Sequence, residues 1–392
     1  MTEIVILSAC RTPLGALQGV LSDVPACRLG ARAIQGAVVR SGVAAEEVTD
    51  VLMGNVLSAG QGQAPARQAA IHAGLARTVR AVTVNKVCGS GLQTVMQAAH
   101  ALSAGVGSVY VAGGMENMSQ APYLLPKARG GYRIGHGQLV DSLIADGLWD
   151  TYNDQHMGNC AEECAAKYAF ERDQQDAYAI ESFKRANAAQ QGGRFVSEII
   201  PVEISGAKGA VTVVAQDEGP GRVNYDRIPT LKPAFRKDGT ITPANASSIN
   251  DGAAAMVLTT ANHARSRGLS PIARVVSFGG HAQDPLWFTT APVQAAQSAL
   301  RTAGWDVSDV DLWEVNEAFA VVPMAFMREL NLPHEKVNVH GGAISLGHPI
   351  GCSGTRILVT LLAALKERGL KRGLAAICIG GGEGLAVCVE LL

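Results

Sequence analysis

The chain reads as an α/β protein made of two similar halves, and three observations predict this. Strand-like and helix-like runs alternate at both ends of the sequence. Both halves follow the order βαβαβ, and each reaches a glycine-rich strand end, "VAGGMEN" in the first and "CIGGGEG" in the second. "LMGNV" and "WEVNEA" also place an asparagine in corresponding strands. Such alternation implies sheets covered by helices on both faces. Two copies in one order suggest a duplicated domain with its site where the copies meet, and 392 residues exceed one ordinary core.

The first half opens on the strand "EIVILSA", followed by a helix through Leu29 to Val39 and the strand "DVLMGNVL". Val82, Val84 and Val87 are β-branched and form a short buried-strand run. Leu92, Val95, Met96 and Ala99 then recur at helical spacing. "SVYVAGGMEN" closes the half. The middle, roughly 120 to 245, breaks the rhythm. "QAPYLLPKARGGYRIGHG" and "DEGPGRVNYDRIPTLKPAF" are rich in Pro, Gly and basic residues, and between them Met157 to Gln191 predicts a helical stretch. An excursion of this kind is a binding or assembly surface or a solvated insertion. The last third repeats the opening order: "IARVVSFGG", a helix near Val293 to Ala303, "DVDLWEVNEAF", "KVNVHGGAISLGHPIGCSGTRILVTLLAAL" and "GLAAICIGGGEGLAVCVEL".

Composition narrows the function classes. Hydrophobic residues make up 47%, charged residues only 17%, and the net charge is −1. Nothing here points to nucleic acid or an anionic membrane as a partner, and no apolar run approaches the ~18 residues of a membrane helix. "MTEIVILSACRTPLG" enters a strand pattern by its fourth residue, without a signal-like or Arg-rich leader, so the expected location is cytoplasmic. The eight cysteines form no C-x-x-C pair; Cys160 and Cys164 are one helical turn apart. With no His pair at ligand spacing, no zinc site is expected, and the thiols are expected to be reduced.

Cys88 stands apart. It lies between a strand and a helix, followed by Gly89 and Gly91, which let the backbone bend sharply. A thiol at a helix N-terminus meets unpaired N–H groups and the positive end of the dipole, so Cys88 is expected to ionise readily. It is then an activated nucleophile, or else a small buried hydrophobe of the common kind.

Four blocks carry a family resemblance: "NKVCGSGL", "NASSINDGAAA", "WEVNEAFA", and "GGAISLGHPIGCSG" with "CIGGGEG". In this order and spacing the chain resembles the thiolase family over essentially its whole length, and in particular its short-chain acetyl-CoA-condensing branch. The resemblance implies a layered αβαβα core of two duplicated βαβαβ halves. The N-terminal half would be 1–119, completed by about 248–269, the inserted loop domain 120–247 and the C-terminal half 270–392.

It also implies roles. Cys88 would carry the acyl group, His348 would be its base, and Cys378 a second acid/base. Asn316 would order a water in one oxyanion hole, while the N–H groups of Cys88 and Gly380 form another. Ser247 matches a pantetheine contact, and His156 and Met157 lie beside the acyl pocket. Leu148, Phe235, Phe288, Ala318 and Phe319 would complete the tunnel, and Arg222 and Arg227 would meet the nucleotide end of coenzyme A. The chemistry asks for these types independently. Thioester exchange suits a thiol nucleophile, and an imidazole of pKa near ~6.5 can take its proton around neutrality. Proton abstraction from a second acetyl-CoA then needs a base other than the acylated thiol. Read without the resemblance, His348 could as well cap a helix and Cys378 pack in a strand.

The implied reaction is the reversible condensation of two acetyl-CoA to acetoacetyl-CoA and CoA, with CoA thioesters as substrates and no metal or redox cofactor. The arm "LLPKARGGYRIG" resembles the family's tetramerisation loop, so a homotetramer (dimer of dimers) is expected. Glu383 stands where many relatives have methionine or a small residue. Phe183 occupies the position of a potassium-holding tyrosine of one subgroup, so no such ion site is expected. Rival functions are a thiolase for longer or 2-methyl-branched 3-ketoacyl-CoA, a decarboxylating ketoacyl synthase, which needs two histidines, and a non-catalytic lipid-binding or scaffold protein.

Overall fold

The computed structural model describes residues 2–206 and 209–392. The first half contains β1 (Ile4–Arg11), β2 (Gly15–Ala16), α1 (Ala26–Ser41), β3 (Asp50–Gly54), α2 (Pro65–His72), β4 (Arg80–Val84), α3 (Ser90–Ser103) and β5 (Val109–Asn117). The middle adds three small hairpins, β6 (Tyr123–Leu124) with β7 (Val140–Asp141), β8 (Trp149–Asp150) with β9 (Gln155–His156), and β10 (Val202–Ser205) with β11 (Val211–Val214). Two helices, α4 (Met157–Tyr168) and α5 (Arg172–Gln191), lie between the last two hairpins. The remainder runs β12 (Asn250–Thr260), α6 (Ala261–Ser266), β13 (Ala273–Ala282), α7 (Ala291–Ala303), β14 (Leu312–Val315), α8 (Val321–Leu330), α9 (Ser353–Glu367), β15 (Arg372–Ile379) and β16 (Glu383–Leu391).

The main strands follow the order β14-β15-β16-β13-β1-β12-β5-β3-β4, with β2 on β12. β3 is parallel to β4 and β5, and β14 is parallel to β15, while β12 and β16 run antiparallel to their neighbours. Within the sheet, among the described residues, pairing of Ile4–Ile6 of β1 with Ala273–Val275 of β13 joins the two halves. The path is therefore two copies of one mixed sheet meeting at their first strands. β12 follows the excursion in sequence but completes the first copy.

Layering follows from which faces are apolar. β5 is buried at all nine positions and β12 at ten of eleven, so both faces must be covered. α1 and α2 cover the outer face of the first copy through Leu29, Ile34 and Ala69. α7 and α8 cover the second through Ala296, Leu300 and Phe326. α3 and α9 lie between the copies, joined by Leu92, Val95, Ile357 and Leu361. They touch closely because Gly91 and Gly354 face each other; a Cβ on Gly354 would lie 2.3 Å from the Leu92 nitrogen. The result is the five-layer αβαβα core.

Local differences from the sequence expectation have physical causes. Met157 to Gln191 is two helices, because α4 ends at Ala169 in the left-handed region (φ 51°) and α5 restarts with a Glu171–Gln174 capping box. The strand before Cys88 ends at Val84, short of Val87. Residues 337–352 form no strand, only single bridges, and they lead directly into α9. α2 and α8 were not legible: α2 is one Ala-rich stretch of eight residues, and α8 follows "NEAFA" without a break in hydrophobicity. Among the described residues no helix is long and apolar enough to cross a membrane.

Candidate active site

Cys88 is presented by a strained turn between β4 and α3. Val87 has φ 46°, where a β-branched side chain is unfavourable by roughly 1–3 kcal/mol. The turn is held by the Val87 N–H donating to Asn85 Oδ1 (3.0 Å), the Lys86 N–H donating to Ser90 Oγ (2.8 Å), and Ser90 Oγ donating to the Val87 carbonyl (2.6 Å). Cys88 is buried, and the backbone N–H of Gly380 favours negative charge on its sulfur. Gly380 begins the turn from β15 to β16, where Gly381 and Gly382 have φ 91° and 85°. Gly382 admits no side chain, since a Cβ would lie 2.3 Å from the Gln283 carbonyl oxygen. The Lys86 ammonium pairs with the Glu383 carboxylate across these two turns.

The expected easy ionisation of Cys88 is overturned. Burial pushes its thiol up to about 11, and the N–H groups of Gly380 and Cys88 itself offset only part of this. Cys378, fully buried near the end of β15, is held well above the ordinary thiol range by burial and then by the neighbouring Cys88.

His348 also departs from expectation. Burial, with the Arg356 cation second, lowers its pKa to about 3, so the ring is neutral at physiological pH. Its backbone N–H donates to Asn250 Oδ1 (3.0 Å). Nδ1 lies 2.5 Å from Ser353 Oγ, whose hydroxyl donates to the Pro349 carbonyl at 2.9 Å. That single hydroxyl hydrogen is used, so Nδ1–H is the donor to Ser353 and Nε2 is left as a bare acceptor. Nε2 is buried without a protein partner.

Asn316 directly follows β14. Its backbone N–H bonds the Ala376 carbonyl (3.0 Å), while neither polar atom of its buried side chain has a protein partner. Buried amides are normally satisfied by protein or water, and an orphaned one suits a water-binding role. The neighbouring Glu317 is fully used. It accepts from Tyr178, Ser182, Asn338 and the Ile344 N–H at 2.8–3.1 Å, tying α5 and the 338–344 segment to the site.

A cavity of about 180 Å³ reaches Cys88 and His348. Leu148, His156, Met157, Phe235, Ser247, Phe288, Ala318 and Phe319 all line it. His156 stacks on Phe235 (centroids 4.6 Å apart) and donates nothing through Nδ1, which accepts the Gly158 N–H at 3.0 Å. The structure does not bring Arg222 or Arg227 to this cavity. Both are exposed, and Arg222 pairs with Glu218. Phe183 packs against the Tyr178–Ile344 cluster. Sequence reasoning missed Met118, Ile249 and Ile350 in the cavity wall, and Ser353 behind His348. For Ser353 the signal was its place one turn beyond His348 at the start of a helix; for the apolar three there was none beyond nearness to the motifs.

Two thiols and an imidazole at the junction of duplicated α/β halves are the equipment of an acyl-transferring enzyme. Comparison with known proteins agrees. The thiolase N-terminal domain matches residues 4–262 and the thiolase C-terminal domain residues 269–391. An acetyl-CoA acetyltransferase of Cupriavidus necator is 51% identical over 391 residues, covering 100% of both chains. Acetyl-CoA acetyltransferase 2 of Arabidopsis thaliana is 50% identical, over 100% of this chain and 97% of that one. The crystal structure of the Bacillus anthracis acetyl-CoA acetyltransferase superposes with TM-score 0.97 at 40% identity, covering 100% and 99% of the two chains. Acat5 thiolase from Ascaris suum, solved in complex with coenzyme A, gives 0.94 at 44% identity with complete coverage of both. The chain belongs to the thiolase family.

Proposed function

We propose that the protein is an acetyl-CoA acetyltransferase that condenses two acetyl-CoA to acetoacetyl-CoA and CoA, reversibly, through an acetyl-Cys88 intermediate. The observation that supports this best is the cavity lined by both Cys88 and His348, whose Nε2 is bare, and crowded by Phe235, Phe288, Phe319 and Met157. The thiol proton of Cys88 passes to His348 Nε2 as the sulfur attacks the thioester carbon. The N–H groups of Cys88 and Gly380 meet the oxyanion, and one such donor is worth about 100- to 1000-fold in rate. The departing CoA thiolate takes the proton of Cys378. The Cys378 thiolate then accepts a proton from the methyl group of a second acetyl-CoA. The enolate oxygen is stabilised by the His348 cation and a water on Asn316. Its carbon attacks the acetyl group, the Cys88 thiolate leaves, and His348 returns the proton. Every group ends as it began.

Ser247 would bond the pantetheine arm, Arg222 and Arg227 the nucleotide end, and no metal or redox group enters. We further place the enzyme in the cytoplasm as a homotetramer. The hairpin of β6 and β7 supports the assembly, since it exposes Tyr123, Leu125, Leu139 and a 99% exposed Ile134. The test is thiolysis of acetoacetyl-CoA, 2-methylacetoacetyl-CoA and 3-ketohexanoyl-CoA by the parent and Cys88→Ala. Preference for the unbranched four-carbon substrate, abolished in the variant, is expected. Preference for the six-carbon or branched substrate would move the enzyme to the degradative branch, and full activity of Cys88→Ala would remove Cys88 from the mechanism.

A further inference from the structure

The duplication allows the two halves to be compared position by position. Gly54 of β3 lies opposite Gly114 of β5, as Val315 of β14 lies opposite Ala376 of β15. One residue beyond the first member of each pair are Asn55 and Asn316; two beyond the second are Glu116 and Cys378. α3 begins at Ser90 and α9 at Ser353, so Cys88 corresponds to Gly351. The trio Cys88, Cys378 and Asn316 therefore has a counterpart in Gly351, Glu116 and Asn55. In that copy the place of the second thiol is filled by a carboxylate.

This carboxylate is fully buried and spans two segments. Its Oε1 accepts from Asn55 Nδ2 (2.8 Å) and the Leu57 N–H (3.1 Å); its Oε2 accepts from the Val56 N–H (3.0 Å) and the Gly351 N–H (2.9 Å). Gly351 lies three residues after His348 and two before Ser353, the partner of His348 Nδ1. A Cβ added to Gly147 of the cavity wall would come within van der Waals contact of both Leu57 and Ile350, which lie on the two bonded segments.

We propose that Glu116 is a positioning residue that fixes the His348–Ser353 segment through Gly351 and so aims His348 Nε2 at the cysteines. The inference rests on the acetyltransferase reading above. With two N–H donors facing each oxygen, the site asks for an acceptor at both. In Glu116→Gln an amide NH2 must face two backbone or side-chain donors, and the segment must shift to relieve them.

The experiment compares the parent, Glu116→Gln, His348→Ala and the double variant. It measures kcat and KM for acetoacetyl-CoA thiolysis and the rate of Cys88 alkylation by iodoacetamide. The expected result for Glu116→Gln is a fall in kcat of about 10- to 100-fold, KM within about twofold, and slower alkylation. In the His348→Ala background the same substitution should change either rate by less than about twofold, because its effect runs through the imidazole. Equal losses in both backgrounds, or a raised KM with kcat unchanged, would overturn the proposal. If Glu116→Gln does not fold, Asn55→Ala removes one of the four donors, and the same non-additivity is required of it. Lack of turnover by the parent would fail the acetyltransferase reading alone; alkylation of Cys88 would still decide the role of Glu116.

Discussion

Two effects oppose each other at the Cys88 sulfur. The N–H groups of Gly380 and Cys88 stabilise a thiolate, and loss of water destabilises it; the second is larger, which leaves the thiol at about 11. With His348 lowered to about 3, the resting pair is neutral thiol and neutral imidazole, and no preformed ion pair is present. The thiolate fraction of the free protein then grows tenfold per pH unit below pH ~11. Alkylation of Cys88 by iodoacetamide, followed on its own peptide by mass spectrometry, should keep rising from pH 7 to 10. An ion pair would instead level off near neutrality, and a plateau there would show that His348 holds the proton already. The proposed acyl transfer suits the neutral pair, since in it charge would appear only once substrate is bound.

At the level of elements, the site is two turns held face to face, one before α3 and one between β15 and β16. Besides the Gly380 N–H on Cys88, the Lys86–Glu383 ion pair spans them. Both side chains are partly exposed, so the pair contributes no more than about 1 kcal/mol to stability. Its expected effect is on the distance between the turns. Glu383→Lys should lower kcat/KM about three- to fivefold, and the reversed pair Lys86→Glu with Glu383→Lys should recover to within about twofold of the parent. A reversed pair no better than the single change would show that the charges act separately.

Much of this was legible in the sequence. The βαβαβ order and the turn at Cys88 with its glycines follow from local pattern, and the lining residues from Leu148 to Phe319 from the family resemblance. What was not legible is what depends on partners distant in sequence. Glu383 read only as a departure from its relatives, because its partner Lys86 lies 297 residues away. The acidity of Cys88 was misjudged because a helix terminus is a local feature, whereas burial comes from packing of the whole core. Glu116, in "GGMEN", looked like part of a strand end; its four donors come from two other segments.

On the scale of the whole molecule, buried titratable groups set the response to acid. His348 is lowered to about 3, and His334 and His340 to about 4, all first by burial. An unfolded histidine binds its proton near pH ~6.5. The unfolded state therefore takes up more protons, and stability is lost as pH falls through this window, by about 1.4 kcal/mol per pH unit for each full proton. The half-buried His334 contributes less because solvent screens it. Glu116, raised to about 7, and Glu314, raised to about 8, act in the opposite sense. The folded state keeps their protons when the unfolded state has lost them above pH ~4.3, so stability falls as pH rises toward 7–8. The two sets oppose each other between pH ~4.5 and ~6.5, where Glu198 and Asp251, also raised by burial, act with the carboxyls. Below pH ~4.5 only the histidines remain, and the loss becomes steep. Urea denaturation across pH 3.5–8 should show a broad maximum near pH 6 and a sharp fall below 4.5. A linear decline from pH 7 downward would refute this balance.

The placement of α3 and α9 has a last consequence, in time. Twelve of the fifteen residues of α9 are buried, and this helix, with α3, is sandwiched between both sheets. The amide hydrogens of their buried central turns should therefore be among the slowest in the protein to exchange with solvent. Cys88 and His348 lie at the starts of these helices. Loss of Cys88 and His348 geometry on heating should therefore coincide with loss of these two helices.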